Sequence, residues 1–313
     1  MSQQLPLFTP ESNWSPPQVL PDLTNAKEIA VDLETRDPDL ITKGPGWATD
    51  TGEVVGVSLA TEHWSGYLPF GHQGGGNLEK DFVVSWLKKQ MSLPCDKIFH
   101  NAMYDVGWLR RLGVKVNGVI QDTMIAAPLI NENRNRYSLD TLGSEYCGER
   151  KDESLLKEAA HSFGVDPKSG MWKLPSNYVG PYAEQDAVLT LKLWQVLKNL
   201  LDKEEVTKIY SLERDLLPLL LEMRWNGVRV DENAAHEKSK YLKGAEYKLL
   251  DQITKDYGTA IEVWNARSIA KVFDKAGLTY PRTPKSNQPS FTAQWLEGHS
   301  HVLPQSIVKA RRY

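Results

Sequence analysis

Cysteine is nearly missing from this chain: Cys95 and Cys147 are the only two in 313 residues, and no Cys-x-x-Cys spacing occurs. That excludes a disulfide-stapled secreted scaffold and a thiolate zinc site, and it fits a reducing compartment. No apolar run is long enough to cross a membrane, and no charged-then-apolar leader opens the sequence, so neither an anchor nor a signal peptide is expected. A basic excess is missing too. The net charge is −3, which is not by itself the footprint of a nucleic-acid binder. The deficit is uneven: Glu204–Tyr313 carries 17 basic and 14 acidic residues, whereas the rest carries 20 and 26. His63, His72 and His161 lack ligand-type spacing. The glycines of Gly71–Asn77 lack the strand–loop–helix setting of a phosphate-binding fingerprint and read as a turn.

What is present is acid in three patterned places. Glu28–Thr35 alternates like a strand, with Ile29, Val31 and Leu33 on one face and Asp32 and Glu34 together on the other. Two adjacent carboxylates repel, and burying them needs a counter-charge, which a divalent cation supplies. A short apolar run, Asp96–Phe99, leads into a helical pattern from Asn101 to Leu112 that carries Tyr104 and Asp105. A third helix, from about Val179 to Leu200, sets Tyr182 and Asp186 one turn apart on the same face. Each stretch alone reads equally well as a solvated face or a core hydroxyl with its acceptor. Their order and spacing together point to a magnesium site for cleaving phosphodiester bonds.

Taken together the three stretches resemble the 3′–5′ exonuclease domain of DNA polymerases of the polymerase I family, over about residues 25–203. Asp32 and Glu34 match the first motif, Asn101, Tyr104 and Asp105 the second, and Tyr182 and Asp186 the third. Pro181 stands where a histidine subgroup has its histidine, so the resemblance is to the tyrosine (DEDDy) subgroup. Asp122–Met124 and Tyr137–Leu142 add to the match. The resemblance implies an α/β fold: a ribonuclease-H-like mixed five-stranded sheet flanked by helices, followed by an all-helical segment. It further implies two Mg2+ or Mn2+ ions held by Asp32, Glu34, Asp105 and Asp186, with Tyr182 orienting the attacking water. The substrate would be a single-stranded or frayed 3′ DNA end, met by Leu33, Thr35, Asn101, Met103 and Tyr104, and the product a nucleoside 5′-monophosphate. The cytoplasm of a bacterial or phage-infected cell is the expected location.

Two flanks complete the expectations. Residues 1–24, rich in Pro, Ser, Gln and Asn, read as a disordered tail, and Gln4, Leu5, Leu7 and Phe8 within it resemble a sliding-clamp docking peptide. Residues 204–313 read as helical and resemble the start of a polymerase thumb, with Lys285 and Ser290 as candidate phosphate contacts on primer–template DNA. The palm and finger motifs are not in this sequence, so the chain is not expected to polymerise DNA alone. A truncated chain, a split gene with a polymerase chain in trans, and a standalone nuclease all remain open. A non-catalytic clamp- or polymerase-docking subunit and an RNA 3′-trimming nuclease are the alternative functions.

Overall fold

The alternating residues do form a strand, β1 (Glu28–Arg36), and it is the middle strand of a mixed five-stranded sheet in the order β3-β2-β1-β4-β5. The computed structural model describes residues 9–313; the candidate clamp residues Gln4, Leu5, Leu7 and Phe8 lie outside the described residues. On one side of β1, β2 (Glu53–Ala60) pairs with it antiparallel, and β3 (Ser65–Pro69) pairs antiparallel with β2. β4 (Asp96–Phe99) and β5 (Ile120–Asp122) run parallel on the other. The pairing of β1 with β2 slips between Glu34 and Thr35. Such a bulge re-aims the side chains beside it, and here it falls at the second acid of the first motif.

Both faces of β1 are covered. Ile29, Val31 and Leu33 face a core that holds Trp47, Leu87, Phe99 and Trp108. Ala30 faces the opposite core, built on Ala187, Leu189, Leu193 and Leu197. The first unit of the chain, Met1–Gly227, contains the short helices α1 (Leu40–Lys43) and α2 (Gly46–Thr49), then α3 (Lys80–Met91), α4 (Ala102–Arg111), α5 (Thr123–Ile130), α6 (Leu139–Leu142), α7 (Ser154–Ser162), α8 (Ser176–Lys203) and α9 (Thr207–Asn226). Helix α8 packs across β1, β2 and β3 on the side that carries Asp32 and Glu34.

Three expectations need correction. Residues 9–24 are not a loose tail where they are described. Ser12 Oγ donates to the Asn177 carbonyl, Trp14 Nε1 to Glu184 Oε1, and Leu23 is buried with its N–H on Gln90 Oε1. Pro- and Ser-rich composition was a poor guide because two aromatic and aliphatic anchors, Trp14 and Leu23, outweigh it. The first compact unit continues past residue 203 to Gly227, because α9 buries Leu217 and Leu221 in the main core and Tyr210 donates its hydroxyl to Gln121. The stretch Lys151–Trp172, whose polar, glycine-containing sequence reads as a mobile loop near the site, contains α7 and a 3-10 turn at Met171–Lys173. Leu156, Ala159, Ala160 and Met171 form a small core with Tyr67 and Val179.

The second unit, Val228–Tyr313, is helical as expected. It holds α10 (Glu232–Tyr257), α11 (Ala266–Lys275), α12 (Ala293–Glu297) and α13 (Val302–Arg311). Asp231 caps α10 by accepting from Ala234 N. Its core gathers Ile253, Ile269, Phe273, Phe291, Leu296 and Ile307. Residues 281–290 form a loop closed by an Arg282–Pro289 bridge; Lys285 on it is exposed, and Ser290 is half-buried.

Candidate active site

Asp32 and Glu34 stand on β1, and Asp186 on α8 faces them, because the helix lies across that side of the sheet. One carboxylate oxygen from each of the three lies within 4.8 Å of the others. Asp105, from the first turn of α4, is buried beside them, where its Oδ1 accepts from Leu33 N at 3.2 Å. It is not part of the three-residue oxygen cluster itself.

The second motif is held by a residue outside it. Asp122, at the end of β5, accepts from the N–H groups of Asn101 (3.0 Å), Ala102 (2.7 Å) and Met124 (2.8 Å). One buried carboxylate thus caps the starts of both α4 and α5. Asn101 adopts a left-handed backbone (φ 78°), a state asparagine tolerates better than most non-glycine residues; its side chain is exposed and makes no cap hydrogen bond. Tyr104 shares a hydrogen bond with Thr35 Oγ1 at 2.7 Å and donates to Asp37 Oδ2 at 3.0 Å. Met103 is half-buried at the same helix start. Leu33 differs from expectation: it is 6% exposed inside the main core, since its position in the strand points it away from the acids, so it offers almost no surface to a base.

Sequence reasoning missed Lys151. Its ammonium donates to Asp186 Oδ2 at 2.7 Å and to the Tyr182 hydroxyl at 3.3 Å. It also missed Tyr67, fully buried behind the acids, whose hydroxyl pairs with His72 Nε2 at 2.8 Å. Neither residue has a spacing that would single it out: one comes from a connecting segment, the other from a neighbouring strand. His100 is taken up by Thr123 Oγ1 at 2.8 Å, and burial pushes it down to about 4, as it does His72. Both imidazoles are therefore neutral near pH 7.

The electrostatics match crowded acids. Burial, then the charge of Asp186, pushes Asp32 up to about 7, against the pull of Lys151. Burial and the charges of Asp32 and Asp186 raise Glu34 well above the carboxylate range, and burial with Asp32 does the same for Asp105. Asp186 is raised by burial, and Lys151 partly offsets this. Burial and then the charges of Asp186, Glu34 and Asp32 push the Tyr182 phenol far above its usual range. The Tyr182 phenol therefore keeps its proton near pH 7.

Such a site calls for added positive charge. The donors are all oxygens, and Asp186 Oδ1 is buried without a hydrogen-bond partner. Hard cations such as Mg2+ or Mn2+ favour this donor set, so the residues present fit a divalent ion.

A family model described as "3'-5' exonuclease", for DNA polymerase A, matches residues 16–202. Among curated proteins, a DNA-directed DNA polymerase of Pseudomonas phage M6 is 34% identical, covering 99% of this chain and 48% of that protein. The DNA polymerase DpoZ of Salmonella phage PMBT28 is 29% identical (94% and 47%). DNA polymerase I of Pseudomonas aeruginosa is 28% identical (93% and 32%). The chain spans about half the length, or less, of these curated relatives. Among solved structures, the POL domain of Pol1 from M. smegmatis, in complex with DNA primer-template and dNTP, superposes with a TM-score of 0.66 over 92% of this chain and 45% of that one. At 17% identity this likeness speaks for the fold alone.

Proposed function

The chain belongs to the 3′–5′ exonuclease family of DNA polymerase A, and on that premise we propose that it removes nucleotides one at a time from single-stranded or frayed 3′ DNA ends, using divalent metal ions. The observation that carries this reading is the convergence of Asp32, Glu34 and Asp186 oxygens within 4.8 Å, from a strand and a helix more than 150 residues apart in sequence. Asp32, Glu34 and Asp186 would hold one ion, and Asp105 would help hold a second. Bound there, such ions lower the pKa of an attacking water and offset charge on the phosphate. The protein's own part is positional. Tyr182, kept protonated by its surroundings, donates a hydrogen bond that orients the water, and Glu34 accepts one. Asn101, Thr35, Tyr104 and Met103 line the start of α4 and the end of β1, where the terminal sugar and base would lie. Stacking and apolar contact tolerate any base, which suits the trimming of mismatched ends.

The relatives are DNA polymerases, so primer–template DNA is the natural substrate context, with Lys285 and Ser290 as phosphate contacts. A polymerase half supplied by the same or another chain, a sliding clamp engaged through Gln4, Leu5, Leu7 and Phe8, and a cytoplasmic site of action complete the proposal. The test is digestion of 5′-labelled single-stranded DNA and RNA in EDTA, Mg2+ and Mn2+. A metal-dependent ladder shortening from the 3′ end is expected, and Asp32→Ala or Asp186→Ala should remove nearly all of it. Undiminished rates in both variants would show the acids to be structural and favour a docking subunit. Faster digestion of RNA would favour 3′ trimming of RNA.

A further inference from the structure

Residues 150–152 reach the acids as a strap fixed on both sides. Gln185, the residue before Asp186, accepts from Asp152 N at 2.8 Å and donates to the Arg150 carbonyl at 3.1 Å. Lys151 N itself donates to Asp140 Oδ1 at 3.1 Å. With the backbone so held, the Lys151 side chain runs inward, and its ammonium lies 4.9 Å from the centre of the Tyr182 ring as well as on Asp186 Oδ2. Of the ion pairs among the described residues, this is the one with both side chains almost wholly buried, at 12% and 6% exposed. A lysine is desolvated at such a place only against strong compensation, and the surrounding carboxylates supply it.

From this geometry we infer that Lys151 is the resident counter-ion of the carboxylate cage, and that divalent-ion binding is an exchange in which its ammonium leaves Asp186. The inference rests on the proposed metal site. Lys151 holds one oxygen of Asp186, and the other has no partner. An ion bound by Asp32, Glu34 and Asp186 shares that carboxylate with the ammonium, and the two positive charges repel. The ion has three carboxylates and the ammonium one, so the ammonium yields. A flexible four-carbon stem lets it swing aside, while Gln185 and Asp140 keep the strap in place for its return. The device keeps the acids together without metal and weakens metal binding below what the acids alone would give.

The test is titration of the metal-free full chain with Mn2+, with the free ion read by electron paramagnetic resonance. Lys151→Met should bind Mn2+ about tenfold more tightly than the unaltered chain, the order expected when one screened unit charge beside the ion is removed. Lys151→Arg, which keeps the charge, should stay near the unaltered affinity. Gln185→Ala, which frees the strap yet retains the lysine, should fall between, and it serves as the second test should Lys151→Met fold poorly. In EDTA, Lys151→Met should melt at a lower temperature and regain more on Mn2+ addition. An affinity for Lys151→Met within about twofold of the unaltered chain, or weaker, overturns the exchange. No Mn2+ binding by the unaltered chain would overturn the metal site itself. Binding that Asp186→Asn abolishes while Lys151→Met leaves it unchanged would overturn only the exchange.

Discussion

In the absence of metal, the first unit should lose stability as pH rises through neutrality, and Asp32 gives the size of the effect. Its carboxyl titrates near 3.8 in an unfolded chain and at about 7 in the fold. Between those values the folded state binds more protons than the unfolded state, so unfolding free energy decreases with rising pH. The contribution is fully present below the unfolded value and is lost as pH passes the folded one. At 1.36 kcal/mol per unit, a displacement of this size corresponds to about 2–3 kcal/mol of loss between about pH 5 and pH 8, and it belongs to Asp32 together with the carboxyls crowded against it. Glu34 and Asp105 are displaced in the same direction and add to the slope. His72 and His100, held near 4, act oppositely, gaining stability up to their unfolded value of 6.5. Lys151, where burial lowers but the acids raise the pKa to a net increase, releases its proton only well above this window. The comparison that isolates Asp32 is urea unfolding in EDTA of the unaltered chain and Asp32→Asn at several pH values. The unaltered chain should lose about 2–3 kcal/mol relative to the variant across that range, and saturating Mg2+ should abolish the difference in slope. Parallel curves for the two proteins in EDTA would refute the crowded-carboxylate account.

Other outcomes follow from single contacts. Tyr182→Phe should slow digestion about 10²-fold while leaving single-strand binding unchanged in a fluorescence anisotropy titration, since it removes one oriented donor. Asp122→Ala strands three N–H groups at two helix starts and should cost about 3–5 kcal/mol in urea unfolding, with activity falling at temperatures where the fold is still intact. Gly180→Ala sets a methyl 2.2 Å from the Trp14 ring; it should destabilise by about 1–3 kcal/mol and increase protease cleavage before residue 24. Deleting residues 1–10 should abolish capture by a sliding clamp without slowing digestion of short oligonucleotides.

Much of this was legible along the chain. The period-two pattern of Glu28–Thr35 and the one-turn spacing of Tyr182 and Asp186 depend on local geometry alone, and both survive in β1 and α8. An Asp before a helical pattern predicts a cap at Asp231, and Asn226–Gly227 predicts a stop; both occur, because capping is a short-range interaction. The misreadings all involve distant partners. Trp14 against Gly180 and Glu184, Leu217 and Leu221 against the main core, and α7 against Tyr67 and Val179 turned segments expected to be loose or separate into parts of the first unit.

The local periods along the chain were enough to single out Asp32, Glu34 and Asp186, the three carboxylates that the fold gathers, because one strand and one helix carry them. Folding in three dimensions was needed to show that Asp122 ties two helix starts together and, above all, that Lys151 lies among the carboxylates. A charge on a connecting segment carries no period to read. Where it ends up depends on Gln185 and Asp140 holding the backbone at that spot, and those partners meet Lys151 only once the chain has closed on itself.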